Sequence, residues 1–368
     1  MATDTSQHRQ LFSQGALARI HTYVELTKLR IIELLLVTTI PAMVVAADGW
    51  PGLGLIVVTL VGGTLSAAGA NVINQVYDAD IDVLMARTAH RPIPTHRVSA
   101  NAASWFGGVL GVAGFLVLTF GANLLAGVLS AIAFLGYVIV YTMLLKRSTT
   151  QNIVLGGAAG AVPALIGWAA YADSLSLAAW VMFAVIFFWT PAHFWALSLK
   201  YEDDYRAASI PMLPVIVGEA PTLANIVWYS VITAGITLLL IPVADLGWIY
   251  AVTAVVLSGM SIVLATRLRG DRRRAMPYFL FTNLMLAGVF LAMMVDRLAG
   301  VPAIGADTVW MSASTVLVSI GVLGVIFVES GPGMRAPRIS AFRHIIEIAI
   351  TVVFGVGTIA LGWQMVGA

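Results

Sequence analysis

The feature that most limits what this chain can fold into is a succession of apolar stretches, most close to 20 residues long and nearly free of charge. A helix needs about 20 apolar residues to cross roughly 30 Å of hydrocarbon. Eleven segments fit, at roughly 31–47, 52–74, 102–120, 122–145, 152–171, 177–199, 222–243, 247–266, 277–295, 308–328 and 345–365. In lipid the backbone must satisfy its own hydrogen bonds, so segments of this length predict α-helices. Only 10% of the 368 residues are charged, against about 25% in soluble domains, which is too few to coat a water-facing surface. The expected fold is all-α, a polytopic transmembrane helical bundle. The absence of cysteine excludes disulfides, thiolate zinc sites and cysteine nucleophiles.

The charges between these segments test the helix assignment. With the N-terminus in the cytoplasm and every segment crossing, 19 of the 20 basic residues fall on the cytoplasmic side, and only Arg297 does not. Cytoplasmic loops carry the Lys/Arg excess in membrane proteins, and a miscounted interior segment would destroy the alternation. The opposite loops are short and hold Asp48, Asp173, Asp245, Asp296 and Asp307. Function is therefore expected on the basic face, in the longer loops 75–100 and 200–221. Residues 1–28 read as a polar tail without the continuous apolar core of a signal peptide. A bacterial cytoplasmic tail and a mitochondrial transit segment both fit its Arg9, Arg19 and Lys28, and Asp4 and Glu25 favour the first. Gly107 and Gly111, and Gly156 and Gly160, have the four-residue spacing that lets helices approach closely.

Four constellations carry chemistry. In NQVYDADID, Asn74, Asp78 and Asp82 share one helix face and Asp80 lies off it. Two carboxylates and an amide oxygen on one stripe form a hard-oxygen site of the kind magnesium shares with phosphate oxygens and water. Arg87, His90 and Arg91 follow, placed to hold a phosphate. The second constellation, from Lys200 to Pro211, sets Glu202, Asp203 and Asp204 between Lys200 and Arg206. Two acidic clusters on one face, each with basic neighbours, suggest a metal-bridged diphosphate between them. A salt-bridged loop is the plainer reading. Lys146 and Arg147 stand at a third helix end, as diphosphate ligands or as membrane-interface anchors. His193 lies inside a helix about two turns before Lys200, as a substrate-orienting group or a buried core histidine. Trp189, Phe194 and Trp195 beside it suit an apolar, cation-stabilising pocket or simple packing.

These stretches resemble a known family. The NxxxDxxxD pattern and the second acidic loop look like the intramembrane polyprenyl transferases that include the ubiquinone-pathway enzymes. YDADIDVLMARTAHRPIP, YTMLLKRSTTQNIVLGGAAGAVPALIGWAA and HFWALSLKYEDDYRAASIPMLPV are similar to the protoheme IX farnesyltransferase (haem O synthase) branch, over roughly residues 25–298. The resemblance implies a nine-helix body at 29–298, after the tail at 1–28 and before a two-helix C-terminal extension at 299–368. It implies that farnesyl diphosphate and haem b are the substrates and haem O the product, in a bacterial inner membrane. It assigns Mg2+ to Asp78, Asp82, Asp203 and Asp204, and catalysis to Asp78, Asp82, Lys200 and His193. Asn74, Arg87, Arg91, Lys146, Arg147, Asp203, Asp204 and Arg206 would bind substrate. Haem A synthase or oxidase-assembly proteins would be partners, and nucleic acid would not. Gln75 stands where quinone-type members carry an acid, which suits the haem branch. A quinone-type prenyltransferase, a transporter and a non-catalytic haem chaperone are the competing readings.

Overall fold

The computed structural model describes residues 4–269, 271–304 and 308–330. They form α1 (Asp4–Thr27), α2 (Leu29–Ala46), α3 (Leu53–Tyr77), α4 (Ala79–Asp82), α5 (Ala100–Gly121) and α6 (Leu124–Leu135), which runs on as a π-helix over Gly136–Leu145. Then come α7 (Asn152–Ala172), α8 (Leu177–Lys200), α9 (Glu202–Ala207), α10 (Leu213–Val217), α11 (Glu219–Val243), α12 (Trp248–Arg267), α13 (Ala275–Leu298) and α14 (Thr308–Ser330). Nine described helices are long and apolar enough to cross a membrane, and α2 adds a shorter apolar run, Val37–Ala46. The first ten apolar segments of the sequence thus each coincide with a helix. The eleventh, 345–365, and Arg335, Arg338 and Arg343 lie outside the described residues. The polar N-terminal tail is helical over Asp4–Thr27 and packs against α3.

Local chemistry sets the helix ends. Ser99 caps α5 by accepting from the Ala102 amide at 3.2 Å, and Asn123 caps α6 by accepting from Ala126 at 2.9 Å. Such side-chain caps satisfy amides that the first helical turn leaves unpaired. Helix α11 is buried on nearly every face, between α8, α12 and α14. Small residues let α14 close over it: the Ser314 hydroxyl donates to the Gly235 carbonyl at 2.8 Å, and a Cβ on Gly235 would lie 2.8 Å from Val318 Cγ2.

Helices α3 and α5 approach more closely still. A Cβ on Gly69 would sit 2.5 Å from the Gly107 carbonyl oxygen, and one on Gly114 2.7 Å from the Gly62 oxygen. Gly107 therefore does what its spacing predicts, and Gly111 faces Phe134. Gly156 packs under Tyr141, but a Cβ on Gly160 would meet nothing within 4 Å, because Gly160 faces a cavity rather than a helix. Gly69→Ala is expected to push backbone against backbone and cost about 1–3 kcal/mol, the range for overpacking. Thermal unfolding in detergent measures it, and an unchanged midpoint would contradict this close approach.

Candidate active site

Five chain segments meet at one end of the bundle. Arg97 clamps Glu25 at 2.7 and 2.9 Å. Arg87 in the loop after α4 lies against α9, its amide 3.4 Å from Asp204 Oδ2 and its guanidinium over the Tyr201 ring at 5.3 Å. Arg272 reaches across to Glu202 at 2.9 Å. At the other end Arg297 pairs with Asp48 at 2.7 Å, and Asp296 accepts from the Tyr250 amide at 3.2 Å. The first end holds the candidate site.

Helix α3 stops at Tyr77 and α4 restarts at Ala79, yet the Asp78 amide still donates to Asn74 O (2.9 Å) and the Asp82 amide to Asp78 O (2.8 Å). The four-residue spacing survives the joint, so Asn74, Asp78 and Asp82 keep one face as predicted. All three are buried, and both carboxylates are fully so. A buried carboxylate needs a charge partner. Lys146 is hydrogen-bonded to Asp78 Oδ2, and Arg91 Nη1 contacts both oxygens of Asp82 at 2.8 and 2.7 Å. Asn74 Nδ2 donates to Asp78 Oδ2 at 2.8 Å and to Thr142 at 3.2 Å. Thr142 belongs to the π-helical turn, where its hydroxyl donates to Tyr137 O at 2.8 Å. Such widened turns recur at functional sites. Arg147 pairs with the exposed Asp80 and holds that carboxyl below its usual pKa, chiefly by hydrogen bonding. It stays 3.8 Å from Asp78.

Lys28 is the member that the charge count treated only as a topology marker. Its Nζ donates to Asn74 Oδ1 at 3.0 Å. Its backbone is left-handed, φ 53° and ψ 48°, at the corner between α1 and α2. A non-glycine residue persists there only when its surroundings fix it.

The second acidic loop contributes less. Glu202 bonds Arg206 and Arg272, Asp204 faces the Arg87 amide, and Asp203 and Arg206 are exposed. Burial raises the Tyr205 hydroxyl above its ordinary pKa. Lys200 is exposed at the end of α8, and its side chain joins no hydrogen bond or ion pair among the described residues. No contact joins its side chain to the Asp78–Lys146 pair among the described residues. Among the described residues no three acidic or histidine side chains converge to hold a metal by themselves. Asp78 Oδ1 is nevertheless buried without a hydrogen-bond donor. A hard cation sharing phosphate oxygens and water with one or two carboxylates fits that vacant acceptor.

A cavity of about 290 Å³ lies beyond the carboxylates, lined almost wholly by apolar atoms. Asn71, one turn before Asn74, and Tyr141, next to Thr142, line its near end. His193, Trp189 and Phe194 are also in its wall, whereas Trp195 packs edge-on against Tyr229 at 5.2 Å. The His193 ring is stacked between Trp189 and Phe279, 4.2 Å from each. Thr282 Oγ1 lies 2.8 Å from both Phe279 O and His193 Nδ1, which fixes the ring's orientation.

Nine long apolar helices among the described residues, around an apolar cavity with a charged cluster near one end, define a multi-pass membrane protein. The chain belongs to the UbiA prenyltransferase family, whose model matches residues 35–293. Protoheme IX farnesyltransferase 1 of Saccharopolyspora erythraea is 48% identical over 295 residues, covering 79% of this chain and 93% of that protein. The Synechocystis protoheme IX farnesyltransferase is 46% identical over 302 residues, covering 81% and 95%. The Thermus thermophilus protein of the same name is 49% identical over 277 residues and 75% of the chain, and the match spans only 46% of that relative's length. Among solved structures, a digeranylgeranylglyceryl phosphate synthase superposes with TM-score 0.64 at 17% identity, covering 77% of this chain and 99% of that one. A UbiA homolog from Archaeoglobus fulgidus bound to GPP and Mg2+ superposes with TM-score 0.54 at 16% identity, covering 74% and 99%. These two share the fold.

Proposed function

We propose that the chain transfers the farnesyl group of farnesyl diphosphate to a vinyl group of haem b, with addition of water, to give haem O. The observation that carries this is the pair of buried carboxylates, each held by a cation, close to one end of an apolar cavity that Asn71 and Tyr141 line. The names of the relatives supply the two substrates. The bond from the farnesyl C1 to the diphosphate oxygen breaks, and its electron pair leaves with the diphosphate. A bond forms from C1 to the vinyl carbon, water adds to the resulting cation, and a proton is released. Lys146 and Arg91 stabilise charge that builds on the leaving group, the contribution fixed cations make best in a dry site. Asp78 and Asp82, with Asp204 and its neighbour Asp203 on α9, would hold magnesium. Bound there, the ion would neutralise the diphosphate as a Lewis acid. Asn74, Arg87, Arg147 and Arg206 complete the polar rim, and His193 orients the acceptor in the cavity wall.

The same reading places the charged end on the cytoplasmic side of a bacterial inner membrane, where a soluble diphosphate arrives. Residues 29–298 are the catalytic body, residues 1–28 a cytoplasmic tail whose end reaches the site, and residues 299–368 an accessory extension, with haem A synthase or oxidase-assembly proteins taking the product. The purified protein, given farnesyl diphosphate and magnesium, should release diphosphate in proportion to added haem b. Release driven by a quinone precursor but not by haem b would overturn the acceptor.

A further inference from the structure

We propose that Gln75 and Asn71 are positioning residues. They clamp the corner between α1 and α2 so that the Lys28 ammonium forms the third cationic wall of the diphosphate site. This inference rests on the proposed reading that the site binds a diphosphate.

The clamp is visible in the hydrogen bonds. Gln75 Nε2 donates to the Leu26 carbonyl at 2.6 Å, and Asn71 Nδ2 donates to the Thr27 carbonyl at 3.1 Å. Both carbonyls belong to the last turn of α1, whose acceptors have no partner within the helix. All of these groups are buried. The next residue is Lys28, in its left-handed conformation, with Nζ on Asn74. Asn71, Asn74 and Gln75 thus bind three successive residues of the corner, two through backbone carbonyls and one through the side chain. The sequence explains why position 75 is an amide. Its partner is a carbonyl oxygen, which only accepts, so an ionised carboxylate there would face it without a proton. It would also compete with Asn74 for the ammonium.

Lys28 has the properties of an anion ligand. An ammonium has three donors, and Lys28 uses one of them among the described residues. Arg91 and Lys146 approach the same stripe, each paired with a carboxylate, Asp82 and Asp78 respectively, whereas Lys28 has no carboxylate partner among the described residues. Three cations against two carboxylates leave an excess of positive charge around two buried carboxylates. A bound diphosphate relieves that repulsion. Lys28, Arg91 and Lys146 come from three separate segments and approach the Asn74–Asp78–Asp82 stripe together, which suits a ligand with oxygens on every side.

The test measures binding of inorganic diphosphate with magnesium by titration calorimetry on the full chain in detergent, alongside KM and kcat for farnesyl diphosphate. Lys28→Met should weaken diphosphate binding on the order of tenfold or more, as loss of a charged hydrogen bond does, and Lys28→Arg should restore most of it. Gln75→Met should raise KM for farnesyl diphosphate by a similar factor without changing KM for haem b. Combined with Lys28→Met it should add little, since both changes remove the same contact. Additive effects, or diphosphate affinity within twofold of wild type in Lys28→Met, would overturn the proposal. If Gln75→Met does not fold, the Lys28→Met and Lys28→Arg pair decides. Wild-type protein that binds diphosphate yet transfers nothing to haem b would sink the acceptor assignment and leave this inference standing.

Discussion

Asp78→Asn is expected to lower farnesyl transfer by about 10²–10³-fold, the scale for losing one preorganised electrostatic contact to developing charge. The carboxylate is fully buried, holds Lys146, receives Asn74 Nδ2 at 2.8 Å and keeps one oxygen without a donor. The single substitution has a second consequence. It strands the Lys146 ammonium among buried groups, and breaking a buried pair from one side costs about 3–5 kcal/mol. Loss of activity alone would therefore confuse a lost ligand with a lost fold. Asp78→Asn combined with Lys146→Met removes both charges, and replacing a buried pair by neutral groups is often close to neutral in stability. That double variant should melt near the wild-type temperature and still be inactive. A folded double variant with more than a tenth of wild-type turnover would remove Asp78 from the mechanism.

Gly160→Leu is expected to raise KM for farnesyl diphosphate at least about tenfold while leaving the fold intact. Gly160 lines the cavity, and a Cβ there meets no atom within 4 Å. The leucine side chain would occupy room that two or more prenyl carbons need, each worth about 0.8 kcal/mol of burial. Replacing a mid-helix glycine also removes a penalty of roughly 0.5–1 kcal/mol, so the melting temperature should hold or rise. Stability and activity then move in opposite directions, which separates a filled chamber from a damaged core. Unchanged KM would show that the isoprenoid tail lies elsewhere. The effect should be smaller for a shorter prenyl diphosphate, whose tail stops before the leucine.

The sequence exposes those parts of the molecule that depend on local pattern. Apolar length and the alternation of Lys and Arg mark the spans, because lipid imposes both on any helix that crosses it. The Asn74, Asp78 and Asp82 stripe is legible because i to i+4 spacing survives the short break at Asp78. Other features depend on which distant segments meet. Lys28 reads as one more interfacial charge until the α1–α2 corner brings it to Asn74, 46 positions away. Its only local signal is the pair of amides, Asn71 and Gln75, facing the same way on an apolar helix. The π-helical turn at Gly136–Leu145 leaves no trace in a segment in which only Tyr137, Tyr141 and Thr142 carry polar side-chain atoms. Gly156 and Gly160 look alike in the sequence, but one packs on Tyr141 and the other opens on the cavity. In the second acidic loop Glu202 ties α9 to Arg272, and Lys200 and Asp203 are exposed. Composition alone could not separate the ion-paired acid of that loop from the solvated ones.

The most direct test of the proposed chemistry is to express the chain in a bacterium that lacks haem O synthesis, extract the haems and weigh them by mass spectrometry. We expect a hydroxyethylfarnesyl adduct of haem b, present with the wild-type chain and absent with the Asp78→Asn, Lys146→Met variant. Haem b alone in cells whose membranes hold the folded wild-type protein would contradict transfer to haem and direct the search to another prenyl acceptor.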